Sequence, residues 1–183
     1  MNFNKTSING VYIIDLDLFE DERGWFARTF CKDEFKKIGH DKEWVQINHS
    51  FTKDKGTLRG MHFQNPPNAE IKLIRCIAGK IFDVAIDLRK NSPSFLKWFG
   101  VELSAENKKM IYIPEGCAHG FLTLTNDCEI IYHHTNFYTP SYEDGINYQD
   151  PAVKIEWPEA IEMISHRDKN LPKLPENFKG III

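Results

Sequence analysis

The chain is short of cysteine, of net charge and of long apolar runs, and each shortage closes off a class of function. Among its 183 residues, 23 Lys and Arg stand against 26 Asp and Glu, a formal net charge of -3, too balanced to leave an electrostatic footprint for nucleic acid. Four cysteines (Cys31, Cys76, Cys117 and Cys128) are scattered without a CxxC pair, and the opening MNFNKTSING holds no apolar run of the signal-peptide kind. The cytoplasm is therefore the expected compartment. No window approaches the roughly 20 apolar residues that a membrane span requires, so no membrane partner is expected. Helical periodicity is scarce as well: KDEFKKIG (32 to 39), SAEN (104 to 107) and the stretch around 158 to 170 offer a turn or two each.

What the sequence has in quantity is short β-type segments. VYIIDLDLF, GWFARTF, WVQINHSF, IKLIRCIAG, KIFDVAIDLR, WFGVELS, KMIYIPEG, HGFLTLT and EIIYHHTNFY are rich in Ile, Val, Phe, Tyr and Thr, and turn residues separate them at short, fairly even spacing. That pattern predicts an all-β fold, an antiparallel jelly-roll (cupin-like) barrel with short helices. The length, with 42% hydrophobic residues, suits a single domain over residues 1–183 that buries its own core. From NYQDPAVKIEWPEA onward Pro and polar residues become denser, which predicts a C-terminal tail, 158–183, wrapped on the β-body.

Two stretches carry chemistry. A cupin metal motif reads Gly, five residues, His, one residue, His, a few more, a carboxylate, six residues, Gly. In GTLRGMHFQNPPNAEIKLIRCIAG, residues 56–79, Gly56, His62 and Gly79 fit, but Gln64 replaces the second His and Lys72 replaces the carboxylate. PEGCAH supplies the other half, Pro114-x-Gly116-x-x-His119. Two histidines fall short of the three or four ligands a divalent ion needs, and a lysine repels it; no metal is expected. An inward ammonium costs several kcal/mol unless negative charge lies near it. An enolate provides such a charge: when a base takes a proton beside a ketone, electrons move onto the ketone oxygen, where Lys72 does the work of an electrophile. His62, whose side-chain type titrates near neutrality, is the natural base. Asp168, in SHRDKN, is a candidate to orient its ring, although spacing alone does not establish the contact. Taken singly, a strand His is more commonly a satisfied structural residue and a tail Asp a cap; the joint pattern is what points to chemistry.

DERGWFARTF, WVQINHS, TLRGMHFQ, IKLIRCIAGKIFDVAIDLRKNSPSF, GVELSAENKKMIYIPEGCAHGF, YTPSYEDG and DPAVKIEWP, in that order over roughly residues 5 to 172, closely resemble the dTDP-4-dehydrorhamnose 3,5-epimerases. The resemblance implies a metal-free, cofactor-free jelly-roll homodimer that inverts C3 and C5 of a nucleotide-linked 4-keto-6-deoxy sugar. It further implies His62 as base, Asp168 as its dyad partner, Lys72 at the C4 ketone and Tyr132 as the proton donor opposite His62. Tyr138 would stack on the nucleotide base. Arg59 and Arg23 would engage the diphosphate, for which a planar guanidinium is suited. His119 would line the sugar pocket, Glu143 would hold the nucleotide end, and Arg167 stands where the family usually has Lys. Phe26, Gln46 and Asn48 match nucleotide contacts that the resemblance assigns to the partner subunit, through an exchanged N-terminal strand.

Two positions depart from the family pattern: Arg28, near the nucleotide base, stands where Glu is usual, and Glu70 where Gln is common. They raise the expectation of a different nucleotide or 4-keto sugar; the alternative is that both point into solvent or pair with each other across a dimer. Three classes stay open on the sequence: an epimerase acting at C3, C5 or both, a metal-dependent cupin, disfavoured by Gln64 and Lys72, and a non-catalytic sugar-nucleotide binder, which would be expected to lack one of His62, Lys72 and Tyr132.

Overall fold

The computed structural model describes residues 1–183. Its strands are β1 (Asn2–Lys5), β2 (Tyr12–Asp15), β3 (Phe19–Asp21), β4 (Gly24–Phe26), β5 (Gln46–Thr52), β6 (Thr57–Gln64), β7 (Lys72–Ala78), β8 (Lys80–Asp87), β9 (Trp98–Ser104), β10 (Met110–Ile113), β11 (Cys117–Thr123), β12 (Cys128–His134), β13 (Glu143–Gly145) and β14 (Met163–Ile164). One sheet has the order β1-β2-β10-β7-β12-β5 and the other β13-β6-β11-β8-β9, with β14 added parallel to β6. The two form an antiparallel jelly roll. The hairpin of β3 and β4 belongs to neither sheet. No helix is long and apolar enough to cross a membrane.

Side-chain alternation sorts these strands into three apolar layers. In β7, Ile74 and Cys76 enter the core between the sheets while Leu73, on the other face, enters an outer layer with Phe35, Met110 and Tyr112. Lys72 shares the inner parity of Ile74, which is why a lysine points inward. Helix α1 (Lys32–Phe35) is a single turn, too short to hold itself in water, and is held instead by Phe35, fully buried among Phe3, Phe30 and Tyr112. Burying one such side chain contributes about 1.5–3 kcal/mol. The second outer layer joins Met61, Phe63, Val84 and Ile86 to Val153 and Trp157 and to Leu174, Phe178 and Ile181 of the 158–183 segment.

One helical expectation fails for a local reason, and another is met by a single turn. SAEN closes as a turn, because Asn107 Oδ1 accepts the Ser104 N–H and Ser104 Oγ accepts the Asn107 N–H, with Lys108 at φ 55°; such side-chain bonds compete with helix. Around 158–170 only α2 (His166–Lys169) is helical, started by Ser165, whose hydroxyl accepts the Asp168 N–H.

One irregularity in β6 sets up the site. His62 lies opposite His119 and Arg59 opposite Phe121, so three steps on β6 match two on β11. The extra residue is a β-bulge. In a regular strand residues 59 and 62 face opposite ways; here both reach the same cleft while Met61 turns outward. Gly60 permits this, with φ at 120° and a notional Cβ only 2.6 Å from Gly120 Cα.

Candidate active site

A cleft of about 500 Å³ opens between the sheets. Arg59, His62 and His119 enter it from β6 and β11, Lys72 and Tyr132 from β7 and β12 of the facing sheet, and Arg167 and Asp168 from the tail. The structure thus brings together residues spread over more than a hundred positions of sequence.

His62 Nε2 lies 2.7 Å from Asp168 Oδ1. The His62 side chain is 29% exposed and that of Asp168 only 7%, so the imidazole can meet a ligand while the carboxylate cannot. Asp168 Oδ2 accepts the Gly60 N–H at 3.1 Å, linking the dyad to the bulge. Burial opposes ionisation of Asp168, but the hydrogen bond and charge of His62, with the Gly60 N–H, outweigh it and hold the carboxyl below the usual range. An ionised Asp168 fixes the ring through Nε2 and leaves Nδ1 as the free nitrogen. A second pair stands nearby, His119 Nε2 at 2.8 Å from fully buried Asp83.

The residues that replace metal ligands have other partners. Gln64 Oε1 accepts the Thr139 N–H at 2.7 Å while its Nε2 donates to the Asn68 and Phe137 carbonyls, stitching down the segment that carries Tyr138. Lys72 Nζ lies 3.2 Å from Glu70 Oε1. Glu70 is neither in solvent nor paired with Arg28, as the sequence had allowed: it is buried between Lys72 and His134, whose Nδ1 is 2.8 Å from Glu70 Oε2. Burial raises its pKa, but the His134 hydrogen bond and the Lys72 charge more than compensate and keep it low. Arg28 pairs instead with Glu34, at 3.4 Å on the surface.

A smaller lobe of about 190 Å³ adjoins the first and shares His62, Lys72 and Tyr132 with it. Gln46, Asn48, Tyr138 and Glu143 line it. Here the expectation that Gln46 and Asn48 come from a partner is corrected: β5 pairs with β12, which points both residues at the cleft of their own chain. Tyr138 donates to Glu143 at 2.7 Å and Arg167 pairs with the same carboxylate at 2.8 Å, so the three form one polar rim. Arg59 donates to Thr52 Oγ1 and the Phe51 carbonyl, leaving three of its five N–H bonds for a ligand.

Arg23, Phe26 and Arg28 do not reach this cleft. Arg23 pairs with Asp21 at the tip of the β3–β4 hairpin, and Phe26 is exposed beside it. Sequence reasoning missed Glu70 as the partner of Lys72, and also Asp83, His134 and Ser165. An acid two residues from an inward lysine was one available signal, and a serine three residues before Asp168, a local helix cap, was another; Asp83 and His134 depend on cross-strand register.

The family model for dTDP-4-dehydrorhamnose 3,5-epimerase matches residues 5–176. A dTDP-4-dehydrorhamnose 3,5-epimerase of Shigella flexneri is 47% identical over 171 residues, 93% of this chain and 94% of the relative. Among solved structures, the dTDP-6-deoxy-D-glucose-3,5-epimerase of Legionella pneumophila in complex with dTDP-4-keto-L-rhamnose superposes with a TM-score of 0.88 at 38% identity, covering 94% of this chain and 92% of that one. A 3'-monoepimerase from Streptomyces bikiniensis in complex with dTDP-quinovose is similar too, with a TM-score of 0.84, 34% identity and coverage of 92% and 85%.

Proposed function

The chain belongs to the dTDP-4-dehydrorhamnose 3,5-epimerase family, and from that premise we propose how its cleft inverts C3 and C5 of a dTDP-linked 4-keto-6-deoxy sugar. His62, held by Asp168, takes the proton from the carbon beside the C4 ketone. The C–H electron pair moves into the ring and the carbonyl pair onto the ketone oxygen, giving an enolate that an N–H of Lys72 stabilises. The enolate then collapses as Tyr132 gives a proton to the same carbon from the other face. Once His62 has passed its proton to solvent and Tyr132 has regained one from solvent, the same sequence across the ketone inverts the second centre. Only protons move, so the step calls on no cofactor. The observation that carries this reading is that the His62–Asp168 dyad and Tyr132 come from opposite sheets into one cleft; inversion needs groups on both faces of the ring.

In this reading Arg59 binds the diphosphate, His119 the sugar, and Gln46, Asn48, Tyr138, Glu143 and Arg167 the nucleotide end. Proton NMR with dTDP-4-keto-6-deoxyglucose in D₂O tests the reading. Loss of the C3 and C5 signals, with rhamno-configured product, is expected. Exchange at one carbon alone would make the chain a single-centre enzyme like the Streptomyces relative, and exchange at neither would defeat the reading.

The chain is also proposed to work as a homodimer. Phe19, Trp25 and Phe26 on the hairpin and Ile47 and Phe51 on β5 are exposed, more apolar surface than a solitary chain favours. β1 and β2 pair within their own sheet, so the hairpin is the element able to cross, carrying Arg23, Phe26 and Arg28 to the neighbouring cleft. Light scattering should give a mass twice the chain's 21.3 kDa; a monomer at micromolar concentration would refute the dimer. The four free cysteines support a reducing compartment such as the cytoplasm.

A further inference from the structure

Lysine has three donors on a flexible stem, and nothing in its own chemistry decides where they point. A cation that stabilises a developing oxyanion works by being aimed beforehand. Two acceptors do this for Lys72. Its Nζ lies 3.2 Å from Glu70 Oε1 and 3.4 Å from the His62 carbonyl oxygen, which leaves one of the three N–H bonds for the cleft. Glu70 is itself held in place: Oε2 lies 2.8 Å from His134 Nδ1 and accepts from Gln64 Nε2 at 3.3 Å. Glu70 borders the smaller lobe but not the larger one, and its two oxygens are turned to Lys72 and to His134 and Gln64.

Resting on the epimerase reading above, we propose that Glu70 is a positioning residue: with the His62 carbonyl it occupies two donors of Lys72 so that the third meets the ketone oxygen. The role needs the reach of the side chain rather than its charge, because a second negative charge beside the enolate opposes the enolate.

Three variants separate reach from charge. Glu70→Gln keeps the reach and drops the charge, Glu70→Asp keeps the charge and withdraws the oxygen by about 1.5 Å, and Glu70→Ala loses both. Turnover and D₂O exchange at C3 and C5 are the readouts. Glu70→Gln is expected to keep kcat within about fivefold, while Glu70→Asp and Glu70→Ala lose about 10- to 100-fold, the scale of a 1 Å misplacement. KM should stay within about threefold throughout, since the lysine acts on the enolate more than on bound substrate. The reverse order, Asp active and Gln impaired, would show that charge matters and overturn the proposal, as would a loss confined to KM or to thermal stability. If Glu70→Ala does not fold, the order of the other two decides. A parent chain that exchanges neither proton defeats the epimerase reading itself, and this role with it.

Discussion

Replacing His62 with Ala is expected to lower kcat by about 10³- to 10⁴-fold, the upper part of the range for a positioned general base. The size follows from the cleft. Only His62 is tied to the buried Asp168 and partly open to a ligand; Tyr132 serves the other face, and His119 turns its Nε2 to Asp83. The loss should fall on kcat, because the imidazole meets a proton rather than a binding group, and dTDP affinity by calorimetry should stay within about threefold. Asp168→Asn should lose less, since the ring remains and only its orientation and the stabilisation of its charged form are weakened. A His62→Ala variant within about tenfold of the parent would remove His62 from the mechanism.

Lys72→Met keeps most of the side chain's volume and removes its charge, and kcat should fall by about 10²- to 10³-fold, as for loss of one oxyanion donor. Glu70 would not be stranded by the change, because His134 and Gln64 still hydrogen bond to it; the fold should persist with a modest drop in stability. Wash-out of C3 and C5 protons into D₂O is the discriminating readout. Enolate formation is the step that Lys72 assists, so exchange must slow along with turnover. Exchange at the parental rate with slowed epimerisation would place Lys72 after the enolate and contradict its assigned role.

The jelly roll was legible because strand composition and turn spacing are local: segments such as IKLIRCIAG and KIFDVAIDLR, with the turn residues between them, can be read a few residues at a time. The inward direction of Lys72 was legible from its place in the cupin motif, where a metal's carboxylate ligand would stand. Legibility ended where geometry stopped being periodic. By alternation, Arg59 and His62 belong on opposite faces, and only the bulge at Gly60 reunites them. Asp168 was recognisable as a candidate, but its contact with His62 depends on β14 docking beside β6, which no spacing encodes. Gln46 and Asn48 were assigned to a partner, whereas the pairing of β5 with β12 keeps them at home. Glu70 was read as a question about substrate, and its burial against Lys72 and His134 gives it a structural answer.

The placement of Asp168 in the tail has a consequence for how the enzyme comes into being on a ribosome. The last strand of the second sheet proper ends at Gly145, and the dyad's carboxylate follows some twenty residues later. At ordinary elongation rates that interval takes about 1–5 s. During it, a nascent chain already holds His62, Lys72 and Tyr132 but has nothing to orient the base. Catalytic competence therefore waits for the segment that carries Asp168, and a chain released before it would hold the residues of the pocket without the carboxylate that orients its base.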